Sequence, residues 1–537
     1  ESIRYHYDFN GNRTATVLPD GRQINYLYYG SGHLHQISLD DEVISDIERD
    51  QLHREIFRTQ GKLASRYELD PLGRLKRQIA ALNDLTQTET EKNAVTSAYA
   101  VKRSYGYDRT GNLTHSTDQR TGTTHFEYDK LGRITKAGNE VFAFDPAHNI
   151  LSTATNDAVP DNRLKTYNGS SYYYDHFGNL IHRELADGEV QNYFYDLHDQ
   201  LVKAEIFKKD GSKETWAYTY DALGRRIGKG RLKNEEVSET SFPHDLSGNG
   251  LENQTRFVWD GSHLLQEIHP DGRYTYIYTN PDSYEPLAQV HNRTNEEGES
   301  GQQTHYFHCD QIGIPREMTD IHGNLVWFGE YYGWGKLKSE TKVTDSAYQP
   351  FRLQNQYADR ETGLHYNFFR YYEPDAGRFV NQDPIGLLGG ENLYAFAPNV
   401  KGWVDPLGLW AFIPALLSGL LVAGRVAISL LSKVGKMGYK ATKQCVGKCK
   451  NLGKPKSPDK LLKNGKVDHK DIQAWAKKQN LQNQWKSDPQ KFPNGGFKYN
   501  DGTYSVHGHG ANPAAQVKFP TSNAAQGPTV RITGPKG

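Results

Sequence analysis

Tyr105-Gly-Tyr-Asp-Arg-Thr-Gly-Asn-Leu113 is one of four close copies of a motif that specifies the fold of this chain. The other three copies are Phe126-Glu-Tyr-Asp-Lys-Leu-Gly-Arg-Ile134, Tyr172-Tyr-Tyr-Asp-His-Phe-Gly-Asn-Leu180 and Tyr218-Thr-Tyr-Asp-Ala-Leu-Gly-Arg-Arg226. Weaker copies begin near Tyr5, Tyr67, Phe142 and Tyr193. A spacing of about 20 residues between similar motifs indicates a repeat array.

The residues of one copy predict a strand, a tight turn and the start of a second strand. Aromatic residues two apart before the aspartate share one face of a half-buried strand. In Asp-x-x-Gly the aspartate side chain bonds back to the backbone, and the glycine accepts a positive φ. One such hairpin cannot bury its own apolar face, so stacking of repeats into a continuous sheet is expected. A β-propeller or a surface adhesin is the alternative fold class.

This pattern over residues 1–409 resembles the Rhs/YD-repeat family. The resemblance implies a mainly β protein, with a long sheet coiled into a hollow shell around a C-terminal cargo. Because Glu1 falls inside a repeat, we expect the sequence to be part of a longer chain, and the lack of a signal peptide carries little meaning.

Two Asp-Pro-x-Gly-Leu motifs stand 22 residues apart, at Asp383 and Asp405. On residue chemistry alone, each favours a simple turn. Two carboxylates can also act as general acid and base if the fold brings them together, as in aspartic proteases. The sequence does not decide between these possibilities.

The segment from Arg370 to Leu409 is similar to the terminal core motif of Rhs proteins and of insecticidal toxin-complex C proteins. That resemblance implies an aspartyl-type autoprotease that cuts after the second motif. Applied to this sequence, the resemblance implies that Asp383 and Asp405 are the catalytic pair and that Arg378 is a supporting cation. The scissile bond is then the one between Leu409 and Trp410.

Charge is divided at the same point. Residues 410–537 hold 21 Lys and Arg against 5 Asp and Glu, a net charge of +16, whereas residues 1–409 hold 43 against 59, a net of −16. This asymmetry predicts that the C-terminal part meets a polyanion, either nucleic acid or an anionic membrane.

Residues 410–431 are apolar at 16 of 22 positions, with one charge, Arg425. The length suffices to span a bilayer. Three roles stay open: a plug inside the shell, a device for crossing a membrane, and a pore-forming toxic element. Cys445 and Cys449 in the basic linker that follows lack further ligands for zinc and are expected to be incidental thiols.

Residues 459–537 predict a compact α+β domain. A helix begins near Asp468, with Ile472, Trp475 and Ala476 on its apolar face. Asp501-Gly502 predicts a hairpin, with Ser505, His507 and His509 on one face, and Arg531 follows on a last strand.

Two histidines, an arginine and hydroxyls suit metal-independent RNA cleavage, because imidazole can take or give a proton near neutral pH. The alternative is that His507 and His509 are exposed imidazoles in a loop. The order of elements loosely resembles small ribonuclease toxins of the barnase and colicin-type group. Few carboxylates are near, which disfavours a metal-dependent nuclease. No motif supports an ADP-ribosyltransferase or a deaminase.

The sequence therefore predicts a YD-repeat β shell over residues 1–369, an autoprotease over 370–409, a hydrophobic segment and basic linker over 410–458, and a toxin domain over 459–537. We expect a secreted antibacterial toxin delivered into a target bacterial cell, either a ribonuclease or a membrane-permeabilising protein. Expected partners are a cognate immunity protein, a VgrG/PAAR-type secretion spike, RNA as substrate, and a membrane contacted by residues 410–431. No cofactor and no metal are expected.

Overall fold

The computed structural model describes residues 2–82, 99–151, 159–233, 251–294, 300–344, 347–409, 411, 472, 476, 481, 496–500, 505–509 and 529–533. The chain divides into two compact units, Glu1–Gly424 and Arg425–Gly537. The finer boundaries at residues 369, 409 and 458 stay predictions.

The first unit contains two large sheets and two small ones. The first sheet has 13 strands: β1 (Arg4–Tyr7), β2 (Arg13–Val17), β3 (Gln23–Tyr29), β4 (His33–Leu39), β5 (Glu42–Arg49), β6 (Glu55–Gln60), β7 (Leu63–Leu69), β8 (Leu75–Leu82), β9 (Tyr99–Tyr107), β10 (Leu113–Asp118), β11 (Gly122–Tyr128), β12 (Ile134–Ala137) and β13 (Glu140–Val141). A two-stranded sheet follows, formed by β14 (Ala143–Phe144) and β15 (Ile150–Leu151).

The second large sheet has 15 strands: β16 (Thr166–Tyr167), β17 (Ser170–Tyr174), β18 (Leu180–Glu184), β19 (Val190–Tyr195), β20 (Leu201–Phe207), β21 (Lys213–Tyr220), β22 (Arg226–Leu232), β23 (Leu251–Asp260), β24 (His263–His269), β25 (Gly272–Tyr278), β26 (Pro286–Thr294), β27 (Ser300–Cys309), β28 (Pro315–Asp320), β29 (Leu325–Tyr331) and β30 (Leu337–Lys342). A four-stranded sheet closes the unit: β31 (Tyr357–Ala358), β32 (His365–Asn367), β33 (Arg370–Glu373) and β34 (Arg378–Phe379).

Both large sheets are antiparallel meanders in which each strand pairs with its neighbours in the sequence. Among the described residues, helical conformation is confined to the 3₁₀ turns Pro160–Asn162 and Gly386–Leu388 and to the positions of Ile472 and Ala476. The predicted mainly β fold is therefore confirmed.

The repeat motif forms the turns that the sequence predicts. The Asp129 carboxylate accepts hydrogen bonds from the backbone N–H of Leu131 (2.9 Å) and of Arg133 (3.0 Å), and from Nε of Arg133 (2.6 Å). Gly132 takes the positive φ of +75°. The side chain thus satisfies backbone donors that a bare turn would leave to water.

In several repeats the tyrosine before the aspartate joins neighbouring repeats. The hydroxyl of Tyr128 donates to the carbonyl of Leu113 at 2.9 Å, and that of Tyr220 donates to the carbonyl of Leu201 at 2.8 Å. Each accepting carbonyl belongs to the residue that begins a strand after the preceding turn. The motif therefore specifies both the turn and the contact between successive repeats.

Residues 377–402, the terminal segment, lie against three turns and are held there by hydrogen bonds to the turn carbonyls. Asn399 Nδ2 donates to the Gly132 carbonyl (2.8 Å), Asn392 Nδ2 to the Ala147 carbonyl (2.9 Å), and the Tyr394 hydroxyl to the Gly178 carbonyl (2.8 Å). The carbonyls at the tips of the turns thus serve as anchors for the terminal segment.

A buried cation also ties residues 359–366 to the second large sheet. Arg226 on β22 forms an ion pair with Asp359 (2.5 Å), and its guanidinium carbon lies 4.3 Å from the ring centre of Tyr366. Lys229, also on β22, contacts the same carboxylate at 3.1 Å. Because these groups are buried, the pairing fixes how the segment packs on the sheet.

The second unit contains a three-stranded antiparallel sheet: β35 (Gly496–Asn500), β36 (Ser505–His509) and β37 (Thr529–Thr533). Ile472 and Ala476 are helical and buried together with Tyr499 and Val506 of the sheet. The predicted helix position, hairpin strands and last strand are confirmed. Asp468, Trp475 and the turn residues Asp501 and Gly502 lie outside the described residues.

Candidate active site

Both Asp-Pro-x-Gly segments form turns, as their chemistry predicts. In the first, Gly386 N–H donates to the Asp383 carbonyl (2.9 Å) and Ile385 N–H donates to Asp383 Oδ1 (3.0 Å). In the second, Leu409 N–H donates to Asp405 Oδ1 (3.0 Å). Each turn holds one carboxylate oxygen by a backbone N–H and leaves Oδ2 available for another partner.

The two remaining oxygens converge on one guanidinium. Arg370 Nη2, from β33, lies 3.2 Å from Asp383 Oδ2 and 3.5 Å from Asp405 Oδ2. All three side chains are buried. The structure therefore brings Asp383 and Asp405 together, and the turn interpretation and the carboxyl-pair interpretation apply to the same residues.

Arg370 also holds the chain on either side of the carboxylates. Its Nε donates to the Gly408 carbonyl at 2.5 Å, and Nη1 donates to the Leu393 carbonyl at 3.1 Å. The guanidinium carbon lies 3.6 Å from the centre of the Phe379 ring. A planar group with several donors suits this position, because it contacts two carboxylates and two carbonyls at once.

Burial raises the pKa of Asp383 to about 6. The positive charge of Arg370 and the N–H of Ile385 lower it, and the negative charge of Asp405 raises it further. A carboxyl with this pKa can give or take a proton near neutral pH, as general acid–base catalysis requires.

The predicted scissile residue lies at this pair. Leu409 is buried, and an ideal Cβ built on Gly389 would be 2.2 Å from Asp383 Oδ2 and 2.8 Å from the Leu409 carbonyl oxygen. Both oxygens therefore border the same small space. Trp410, on the other side of the predicted bond, lies outside the described residues.

Two asparagines support the second turn from behind. Asn367 Nδ2 donates to the Asp405 carbonyl (2.9 Å), and Asn355 Nδ2 donates to the Pro406 carbonyl (2.6 Å). The backbone at 405–406 is thus held by side chains as well as by its own turn. Such support keeps reacting groups in a fixed geometry.

Arg378, which the family resemblance implies as the supporting cation, bonds to groups other than the two carboxylates. Its Nη1 donates to Asn149 Oδ1 (3.0 Å), its Nη2 donates to the Asn162 carbonyl, and its guanidinium carbon is 4.8 Å from the Tyr394 ring centre. Arg370 instead occupies the position beside both carboxylates that was expected of Arg378. The two arginines lie on paired strands, where Glu373 of β33 is opposite Arg378, so the register of this hairpin separates them.

In the second unit the strand register pairs several of the predicted polar positions. Arg531 of β37 is opposite His507 of β36, and His507 is opposite Lys498 of β35. His509 is opposite Thr529 and Gly496. Lys498, which the sequence reading did not single out, thus joins the row, and His507 lies between two basic positions.

Several predicted features fall outside the described residues, including nearly all of 410–431 and the cysteines at 445 and 449. In the part of the chain that is described, no helix has the length and apolar character needed to cross a membrane. The same part places no group of three or more His, Cys, Asp or Glu side chains suitably for a metal ion.

Comparison with known families and proteins bears on the unit that holds the carboxyl pair. A family model described as Teneurin YD-shell matches residues 63–242, and one described as RHS protein matches residues 304–341. The chain belongs to the Rhs/YD-repeat family. The fold class and the resemblance predicted from the repeats are thereby confirmed.

Relatives of this Rhs chain carry several names. It is 39% identical over 428 residues to the double-stranded DNA deaminase toxin A of Burkholderia cenocepacia, covering 76% of this chain and 29% of that protein. It is 30% identical over 490 residues to toxin protein Tse5 of Pseudomonas aeruginosa, covering 80% of this chain and 35% of that protein. A probable deoxyribonuclease RhsA of Dickeya dadantii is 29% identical over 419 residues, covering 73% of this chain and 26% of that protein.

The Rhs chain thus spans about a third or less of the length of these curated relatives. Among solved structures, it is similar to the Tc holotoxin pore of Photorhabdus luminescens, with a TM-score of 0.53 and 17% identity. That match covers 76% of this chain and 21% of the other, and it indicates a shared shell fold.

Proposed function

We propose that this chain is part of an Rhs toxin that cuts itself between Leu409 and Trp410 and so releases a toxic segment. Two observations carry the proposal: Asp383 and Asp405 meet at Arg370, and Asp383 Oδ2 and the Leu409 carbonyl oxygen both lie beside Gly389. The same boundary separates a segment of net charge −16 from one of +16.

In the proposed reaction, Asp383 is the general acid and Asp405 the general base. Asp405 takes a proton from a water molecule, whose oxygen bonds to the Leu409 carbonyl carbon, while protonated Asp383 donates to the carbonyl oxygen. Asp405 then donates the proton that it took from water to the Trp410 nitrogen, which receives the electron pair as its bond to the Leu409 carbonyl carbon breaks. The carbonyl reforms as one of the two hydroxyl groups on that carbon returns its proton to Asp383. The products are a Leu409 carboxyl group and a new amino terminus.

The assignment of roles follows the surroundings of each carboxyl group. Asp383 has the raised pKa, and its Oδ2 lies beside Gly389 as the Leu409 carbonyl oxygen does, which suits a proton donor. Asp405 accepts the Leu409 N–H and contacts Arg370, and we assign it the role of base. Arg370 keeps both groups in place and offsets their charge.

For the released segment we propose nuclease activity on RNA without a metal ion. His507 and His509 would serve as the general base and acid, and Lys498 and Arg531, at register positions beside His507, would bind phosphate. The relatives' names support action on nucleic acid, since they include a DNA deaminase, a probable deoxyribonuclease and a tRNA nuclease, WapA of Bacillus spizizenii.

A membrane-permeabilising toxin is the second candidate, because residues 410–431 are apolar at 16 of 22 positions and a strongly basic segment follows them. In either case we propose secretion and delivery into a bacterial competitor on a VgrG/PAAR-type spike, with a cognate immunity protein in the producing cell.

The self-cleavage proposal is tested by expressing the chain with Asp383→Asn or Asp405→Asn and resolving the products on a denaturing gel. Asp375→Asn is the matched control, because Asp375 lies in the same segment but is exposed and paired with Lys336. We expect two fragments from the wild type and the control and one intact chain from the other two variants. Two fragments from either Asn variant would contradict the proposal.

The toxin proposal is tested by expressing the full chain in bacterial cytoplasm and examining total RNA and DNA. We expect cleaved RNA, intact DNA, and loss of RNA cleavage with His507→Ala. His469→Ala, the control at the first of the three histidines after residue 409, should leave RNA cleavage unchanged. Deaminated or cut DNA with intact RNA would overturn the choice of RNA. Intact nucleic acids with membrane leakage, lost on deleting 410–431, would favour the second candidate.

A further inference from the structure

We propose that Gly389 is a positioning residue for self-cleavage: its missing side chain leaves the space in which the Asp383 carboxyl group meets the Leu409 carbonyl. This inference rests on the proposed autoprotease and deepens it. It concerns the 3₁₀ turn Gly386–Leu388, which follows the first Asp-Pro-x-Gly turn and ends at Gly389.

The backbone conformation does not explain the glycine at this position. Gly389 has φ −84° and ψ −13°, the right-handed helical region that every L-amino acid adopts readily. Its N–H donates to the Gly386 carbonyl at 3.0 Å, a bond that any residue except proline could make. The requirement for glycine must therefore come from the space around the Cα.

That space is bordered by the two reacting groups. A Cβ at residue 389 would lie 2.2 Å from Asp383 Oδ2, 2.9 Å from Asp383 Cγ and 2.8 Å from the Leu409 carbonyl oxygen. Contacts this short are repulsive, since carbon and oxygen atoms in van der Waals contact are more than 3 Å apart. A methyl group at this position would have to displace the carboxyl group, the carbonyl or both.

Neither group has free room to move. The Leu409 N–H is bonded to Asp405, and Arg370 holds the preceding carbonyl, that of Gly408. Asp383 is held through Oδ1 by the Ile385 N–H and through Oδ2 by Arg370. Displacement of Asp383 would break its contact with Arg370 and remove the proton donor from the carbonyl oxygen.

The rest of this turn is open to solvent. Leu387 and Leu388 are 75% and 87% exposed. A methyl group added to Gly389 would therefore act on the carboxyl group and the carbonyl, with little effect on the packed interior. We expect a loss of cleavage rate without a matching loss of stability.

The test compares Gly389→Ala and Gly389→Val with Leu388→Ala, a change in the same turn, and with Gly402→Ala. A Cβ at Gly402 meets only Asn399 Oδ1 at 3.6 Å, and its φ is not positive. The chain has two methionines, Met318 before the bond and Met437 after it, so a pulse of labelled methionine during cell-free synthesis marks both fragments. Cleavage is followed after the pulse by gel, and stability by thermal melting of the purified proteins.

We expect Gly389→Ala to slow cleavage by about 100-fold, in line with a misplacement of about 1 Å, and Gly389→Val to abolish it. Leu388→Ala and Gly402→Ala should cleave at the wild-type rate, and all melting temperatures should stay close to that of the wild type. Cleavage by Gly389→Ala within about threefold of the wild-type rate would overturn the inference.

If Gly389→Ala also melts at a lower temperature, the pH dependence of its remaining cleavage rate distinguishes a positioning role from a purely structural one. A methyl group against the Asp383 carboxyl group excludes water and should move the bend in that profile to higher pH. An unmoved bend would indicate a purely structural role and overturn the inference. Asp383→Asn distinguishes failure of the autoprotease proposal from failure of the Gly389 proposal. If Asp383→Asn still cleaves, the autoprotease proposal is wrong. If Asp383→Asn does not cleave but Gly389→Ala is fully active, only the positioning role of Gly389 is refuted.

Discussion

The rate of self-cleavage should fall as pH rises through about 6, because the reaction needs Asp383 in its protonated form. An unperturbed aspartate has a pKa of about 3.9. Burial beside Asp405 raises the pKa of Asp383 to about 6, although Arg370 opposes the shift. Since the pKa in the folded protein is raised, the acid form persists to higher pH and is lost above about pH 6.

The expected magnitude follows from this value. With a pKa of about 6, the protonated fraction is roughly 90% at pH 5 and roughly 1% at pH 8, so the rate should fall by roughly 90-fold over this range. The decline should be slight between pH 5 and 5.5 and about tenfold per pH unit above 6.5. An unperturbed aspartate would instead give a uniform slope over the whole range.

The assay starts from chains purified in denaturant and diluted into buffers from pH 5 to 8. Tryptophan fluorescence reports folding, and cleavage is scored by gel only after folding is complete. The position of the bend is the decisive observation. A rate that rises with pH would refute the assignment of Asp383 as the acid, and a rate independent of pH would refute its protonation as a requirement.

Three further changes test the structure around the site. Arg370→Met leaves two buried carboxylates without their cation, so it should abolish cleavage and lower the free energy of unfolding by about 3–5 kcal/mol. The free energy is measured by urea unfolding, with the Asp383→Asn protein as the reference. Arg360→Met, at a half-exposed ion pair with Glu340, should change neither cleavage nor stability. Asp129→Ala removes the acceptor of three hydrogen bonds in a repeat turn and should cost about 1–2 kcal/mol without affecting cleavage once folded; equal stability would show that the turn does not depend on its aspartate. Asn367→Ala removes a donor to the Asp405 carbonyl and should slow cleavage by about tenfold, and an unchanged rate would show that the turn holds without it.

The repeats and their turns could be predicted from the sequence because the interactions that form them are local. In Asp129-Lys-Leu-Gly-Arg133 the aspartate accepts hydrogen bonds from residues two and four positions later. The five residues of the motif therefore supply all the partners for these bonds. The contact between Tyr128 and the Leu113 carbonyl, by contrast, depends on how neighbouring repeats stack. The sequence indicates that repeats must stack but does not name this bond.

The pairing of Asp383 with Asp405 is implied by the family resemblance, which also implies Arg378 as the cation, whereas the structure places Arg370 beside both carboxylates. Eight residues and one hairpin separate the two arginines, and the register of β33 and β34 directs them to different partners. A spacing argument cannot choose between them, because both precede the first aspartate in a similar context. The same limit hid Lys498, whose place beside His507 follows from the pairing of β35 with β36.

Gly389 shows another limit of reading the sequence. A glycine beside Gly390 suggests a loop that needs backbone freedom, yet Gly389 has an ordinary conformation and is restricted by its neighbours' oxygen atoms. Those neighbours are the side chain of Asp383 and the carbonyl of Leu409, six positions before it and twenty after it. Only the folded arrangement shows why a side chain would not fit.

The most direct test of self-cleavage at the carboxyl pair is to determine the amino-terminal sequence and intact mass of the smaller fragment. If Asp383 and Asp405 cut the bond that follows Leu409, the fragment begins Trp410-Ala-Phe and ends at Gly537, and it is not formed by the Asp405→Asn protein. A fragment that begins at any other residue, or one that forms equally in Asp405→Asn, would contradict the account.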